Sequence, residues 1–290
     1  MGKPGPRRRL RHTFAMATTP PRLAPIPPLT TIDEVIEAIG RIIDWSIATS
    51  SRMGYFAALY KRITIAIDTA VKQGAFEDDE RMQRFDVDFA GRYFAAINGY
   101  FHPGQFPKPP RSWQVTFDAA SHPEPIILQH MLAGINAHID LDLGIAAETV
   151  TPGKNLPALQ GDFNTVNAVL ASQVNGVLHS IDELSPALAD LYKVLMNNEI
   201  FLIDEAVKTL RDSAWRFATL LALEPDFAHR FTIWARDREV ASQTESTYHP
   251  LALIDTIVEQ IAARESRDIV KNIQVLNRIA STPAPIRTAL

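Results

Sequence analysis

"HMLAGINAHIDLDLG", residues 130–144, decides how the chain is read. Its leucines, isoleucines and alanines recur at helical rather than alternating spacing, so the stretch is a helix. Set into it are His130, His138, Asp140 and Asp142. At about 100° per residue, His138 and Asp142 fall about 40° apart, on the side that carries Met131, Ile135 and Ile139. Asp140 points about 200° away from Asp142, with Gln129 and Asn136, on what reads as a polar face. A carboxylate on a buried face must be paired. Side chains four apart on a helix converge, which leaves three roles for His138 and Asp142. They are a structural hydrogen-bonded pair, an oriented acid–base pair, or ligands to a divalent metal (zinc or iron) with His130 nearby.

The same helical period extends outward almost without interruption. Thr31 caps "IDEVIEAIGRIIDWSIA", with acids in its first turn. A second helix runs from about 52 to 72, with Gly74 placed to stop it. A third runs from about 79 to 98, with Phe85, Phe89, Tyr93 and Ile97 in register; Asp78, Asp79 and Glu80 before it read as capping acids. "GYFHPGQFPKPPRSW" reads as a loop of about 15 residues, long enough for a lid or binding role. The helix with the opening stretch is expected to end at Gly144, and "TPGKNLPALQG" is a connector. More helices follow, from about 162, from Ser185–Pro186, from about 198 to 223, and in two or three pieces between 225 and 279. No strand pair, Gly-rich phosphate loop or repeat is found. The expected fold is all-α, a single antiparallel helix bundle of roughly eight to ten helices with a long Pro/Gly loop. Residues 31–282 form the domain. Residues 1–30 are expected to be a disordered or extended basic, proline-rich arm, and 283–290 a flexible tail.

Two further helices turn polar groups inward. Asn167 falls within the apolar stripe of Phe163, Val166 and Leu170. Asp204 and Arg211, seven apart, flank a stripe beside Trp215. Each has a structural reading, as a core amide or a buried salt bridge. Inward polar groups on facing helices are also how bundles build sites. His138, Asp142, Asp204 and Arg211 are therefore the candidate catalytic residues. Asn167, Trp215, Tyr60 and His102 are candidate substrate contacts, Tyr60 because it heads a row with Thr64 and Asp68.

Composition narrows the chemistry. The chain has 290 residues, of which 46% are hydrophobic, enough for a substantial core. It has no cysteine, so disulfides and thiolate sites are excluded. The net charge is −4; residues 1–32 hold six Lys or Arg and no acid, so the remainder carries −10. That balance argues against a nucleic-acid partner. No apolar run reaches the roughly 18 residues of a membrane span. "RRRLRHTF" is not followed by an apolar h-region, so no export signal is read and a cytoplasmic location is expected. Met16 is an equally acceptable start.

The segments "YFAALYKRIT", "FDVDFAGRYFAAIN", "ILQHMLAGINAHIDLDLGIAA", "GDFNTVNAVL" and "RDSAW" resemble an uncharacterised, mainly bacterial family of unknown function, over about residues 45–220. The His138–Asp142 spacing is also similar to that on a buried helix of the all-helical zinc-dependent phospholipase C and P1-type nucleases, which implies hydrolase-like metal chemistry. The paired Glu-x-x-His motifs of di-iron bundles are absent. The expected function is an all-helical enzyme with a polar, metal-binding or acid–base pocket. Its substrate is small, partly apolar and suited to an anionic group at Arg211. The alternative is a non-catalytic binding protein for an apolar small molecule or lipid.

Overall fold

Local capping starts the first helices where the sequence says. In the computed structural model, which describes residues 22–186, 199–249 and 252–287, Thr31 and Glu34 form a reciprocal capping box at the head of α1 (Ile32–Thr49). Gly74, at φ +66°, follows α2 (Met53–Lys72). Asp78 Oδ1 accepts from the Arg81 amide at 2.8 Å to open α3 (Asp79–Phe101). The side chains of 174–183, 199–206 and 253–254 are outside the description, as is the helix expected after Pro186.

A short helix, α4 (Arg111–Ala119), emerges from what the sequence presents as loop, so the irregular connection is only 102–110. Its cap comes from far away. Asp237 accepts the amides of Arg111 and Ser112 at 2.7 and 2.9 Å, and the Ser112 hydroxyl at 2.8 Å. Two orphan amides of a helix start are thereby satisfied.

The opening stretch forms a continuous central helix in three parts: α5 (Ile127–Ile135), a π-helical segment (Asn136–Leu143) and α6 (Gly144–Val150). Gly144 does not end it. A Cβ at Gly144 would come within 2.7 Å of the Ala214 carbonyl, so glycine is there to let the neighbouring helix approach. Gly134 serves the same purpose, since a Cβ there would sit inside the Phe56 ring. A 3₁₀ turn (Gly153–Leu159) leads to α7 (Gln160–Leu184), α8 (Glu199–Leu223), α9 (Asp226–Tyr248), α10 (Ala252–Ala262) and α11 (Ile269–Ala280). The architecture is all-α, and no strand occurs among the described residues.

The apolar interior has two main bodies. One joins α1, α2, α3, α4, α5 and α11; the other joins α2, α3, α6, α7 and α8. Phe89 packs against both. The π-helical segment sits at that junction, and nearly all of 137–147 is buried. This corrects the reading of an amphipathic helix with Gln129, Asn136 and Asp140 facing water. Gln129 and Asp140 are buried, because α9 covers that side. Gln129 donates to the Thr247 carbonyl at 2.8 Å, and Arg236 donates to Asp140 Oδ1 at 3.0 Å. A polar face had found polar partners in another helix rather than in solvent.

The first and last described segments are held by side-chain amides that mimic backbone. Asn98 exchanges two hydrogen bonds with Ile26, at 2.9 and 2.8 Å. Gln173 does the same with Ala284, both at 3.0 Å. Residues 22–30 form no helix or strand, yet Leu23 and Ile26 are buried in the core. That part of the expected arm belongs to the fold. Residues 283–287, expected as free tail, are likewise tied down, with Ile286 against the second apolar body.

Candidate active site

The π-helical segment carries the pair that the sequence singles out. His138 Nδ1 lies 3.3 Å from Asp142 Oδ2, and the Trp113 indole N–H donates to the same oxygen at 2.8 Å. All three residues are buried. Because Asp142 engages Nδ1, the proton is placed there and Nε2 presents its lone pair. Nε2 is buried without a hydrogen-bond partner. Burial pushes the imidazole pKa down, against the opposing pull of Asp142, so the ring is held neutral.

Aromatic rings enclose that histidine. Phe89 stacks on it at 3.6 Å between centroids, and Tyr60 meets it edge-on at 4.6 Å. Phe56, Tyr93 and Trp113 complete the wall. Two more polar atoms here are buried without partners, Tyr60 Oη and Asp86 Oδ2. The charge on Asp86 acts on the Tyr60 phenol, whose pKa burial already raises well above the usual value. Burial first, and Asp68 second, raise the Asp86 carboxyl to about 7. A neutral base and a carboxyl that keeps its proton near neutrality are the two halves of acid–base chemistry. π-helical turns are uncommon and frequent at functional sites.

Several expected site residues lie elsewhere. His130 is on the same helix, on the order of 10 Å from His138 along the axis, between the rings of Tyr55 and Tyr248. Its Nε2 has no partner, and burial lowers its pKa to about 3. With Arg52 and Trp113 it lines a cavity of about 10 Å³, room for one water. Arg211 donates to Asn167 Oδ1 at 2.6 Å and to the Phe163 carbonyl at 2.7 Å, with its guanidinium 4.2 Å above the Phe163 ring. Burial lowers its pKa to about 9. Trp215 packs on the same Phe163 ring at 4.9 Å. Ring contacts run from His138 through Phe89 and Phe85 to Phe163 of this second cluster. The Asp204 side chain lies outside the described residues. His102 contacts the Leu23 carbonyl at 2.8 Å and pins the N-terminal segment rather than closing a lid.

Asp142 Oδ2 is shared by Trp113 and His138, and His130 is a helix segment away. Among the described residues no three His, Cys, Asp or Glu converge on a metal position.

Sequence reasoning missed Trp113, Phe89 and Asp86. Asp86 carried a usable signal, since it stands three before Phe89 and seven before Tyr93 and so shares their face. Trp113 carried none, because its helix was not legible.

A family of unknown function, DUF5995, matches residues 32–250, more than half of the chain. No curated protein and no solved structure gives a significant match.

Proposed function

The chain belongs to the DUF5995 family, whose description names no reaction, and from the site itself we propose an enzyme that performs acid–base chemistry on a small, partly apolar molecule in its core. One observation carries this reading: His138 is neutral, oriented through Nδ1 by Asp142, and keeps a buried Nε2 with nothing bonded to it. The carboxylate and the indole satisfy buried groups that would need partners in any role; the unpartnered Nε2 is what a purely structural pair leaves unexplained.

In this reading Nε2 takes a proton from the substrate, and the imidazolium that forms is stabilised by Asp142, itself fixed by Trp113. Asp86, with Tyr60 beside it, returns a proton at another position. Phe89 and Tyr60 restrict the ring to one orientation, and the aromatic wall favours a flat or apolar body. The base contributes about 10²–10⁴-fold. No step requires a metal. The same wall would suit an apolar ligand that is bound without reaction, the alternative reading, and the test separates the two.

Purified protein is incubated with a small-molecule extract and the mixture is followed by mass spectrometry. The native chain should consume a compound that His138→Asn leaves intact and Asp142→Asn consumes at least about 100-fold more slowly, with all three proteins folded. A compound that is retained but unchanged would assign the site to binding. No compound consumed or retained, together with loss of folding in both variants, would return the pair to a structural role.

A further inference from the structure

We propose that the cleft between the start of α2, residues 123–127 and the turn from α10 to α11 binds a small zwitterion, an amino acid with an apolar side chain. The cleft has a volume of about 120 Å³. At about 10–15 Å³ for each water-sized position, that is room for roughly eight to twelve non-hydrogen atoms, the size of a small amino acid. Apolar side chains wall it, Pro125, Ile126 and Ile269 among them, and a few charged groups converge on it. Small-molecule sites have this composition. None of the rings that wall His138 lines this cleft, so it is a second site.

Two buried acceptors at the cleft lack a donor. Glu265 Oε2 accepts from the Ile127 amide at 2.9 Å, which fixes the carboxylate at the head of α5. Its Oε1 is buried with no hydrogen-bond partner. Burial raises this carboxyl's pKa, against opposing pulls from the Ile127 amide, Ser185 and Arg267; the Ser185 hydroxyl is itself buried without a bonded partner. Asn272, fully buried, holds two residues of the lining: its Nδ2 donates to the Ser266 carbonyl at 2.8 Å and reaches the Tyr55 hydroxyl at 3.5 Å. Its Oδ1 has no partner. Buried polar atoms are normally satisfied, and beside a carboxylate the strongest donor is an ammonium group.

The arginines call for the opposite charge. Arg52 and Arg267 line the same cleft. Each has a long bond to a backbone carbonyl, to Ala120 at 3.4 Å and to Ala262 at 3.3 Å, and among the described residues neither closes a salt bridge. With Glu124, the lining holds two positive and two negative side chains. A lone cation would meet the arginines and a lone anion would meet the glutamates. A molecule with an ammonium and a carboxylate group satisfies one of each, and the apolar wall receives its side chain.

Isothermal titration of the full chain uses three probes with the same branched tail: L-leucine, isocaproate, which lacks the ammonium group, and isoamylamine, which lacks the carboxylate. L-Leucine should bind at least about tenfold tighter than either analogue. Glu265→Gln keeps an acceptor for the Ile127 amide. With its circular dichroism melt unchanged, it should weaken L-leucine about tenfold and not weaken isocaproate. Arg52→Gln should weaken L-leucine and isocaproate and leave isoamylamine as it is. No heat with L-leucine would overturn the proposal. Isocaproate binding as tightly as L-leucine would make the cleft an anion site, and isoamylamine doing so would make it a cation site; either result overturns it. So would native affinity for L-leucine in the folded Glu265→Gln chain.

Discussion

Trp113→Phe isolates the bond on which the site geometry depends. Trp113 is fully buried among Phe56, Tyr93, Phe117 and His138, and phenylalanine keeps an aromatic ring there. Two things are lost. One is the indole donor to Asp142 at 2.8 Å; a hydrogen bond to a charged group contributes about 1.5–3 kcal/mol. The other is about 40 Å³ of ring volume, which at about 24 cal/mol per Å³ of cavity costs about 1 kcal/mol. The expected loss is therefore about 3 kcal/mol, read from urea unfolding followed by circular dichroism. The two parts separate in a double-mutant cycle with Asp142→Leu. Without the carboxylate, only the cavity part remains, so Trp113→Phe should then cost about 1 kcal/mol. Equal costs in the two backgrounds would show that Trp113 only fills space and does not hold Asp142.

Asp140→Ala should cost about 2 kcal/mol, because the largely buried Arg236 loses a charge-assisted hydrogen bond and keeps only the more exposed Glu239 as a carboxylate partner; a loss under about 0.5 kcal/mol, typical of a surface site, would mean that α9 does not cover this face. Asp86→Asn tests the raised carboxyl. In the fold Asp86 keeps its proton up to about 7, while the unfolded chain loses it near 3.8. The native state thus binds more protons in that window, and its stability falls as pH rises from about 4 to about 7. The variant should gain on the native protein through that window, on the order of 1 kcal/mol per pH unit, and no further above it; a difference in melting that does not vary with pH would refute the assignment. Asn98→Ala should cost about 2 kcal/mol by stranding both backbone groups of Ile26, and an effect within error of zero would mean that the N-terminal segment does not dock.

The elements that were legible are those whose signals are local. Thr31 with Glu34, Asp78 with Arg81, and Gly74 after α2 all act within a turn of themselves, and the fold obeys them. His138 and Asp142 were legible for the same reason, being four apart on one helix. The failures are tertiary. Asp140 reads as exposed because periodicity assigns a polar face to water, whereas here it is met by Arg236, 96 residues further along. Gly144 reads as a stop because a helix ending and a helix crossing both call for glycine, and only the approach of α8 distinguishes them. Helix α4 has no local cap and contains Val115 and Thr116, so propensity argues against it. The bond of Arg211 to Asn167 depends on how α7 lies against α8, which spacing within either helix does not encode.

The cap that Asp237 places on α4 also sets an order of assembly. The contact spans 126 residues, and contacts of such separation form late, after their loop-closure cost is overcome. A nine-residue helix is marginal alone in water, so α4 has no stable existence before α9 docks. Trp113 travels with α4, so its indole reaches Asp142 only once α9 has docked. A nascent chain that has not yet emerged past Asp237 therefore carries His138 and Asp142 but not the docked indole that fixes Asp142. The site is finished from the C-terminal half of the molecule, at the end of folding.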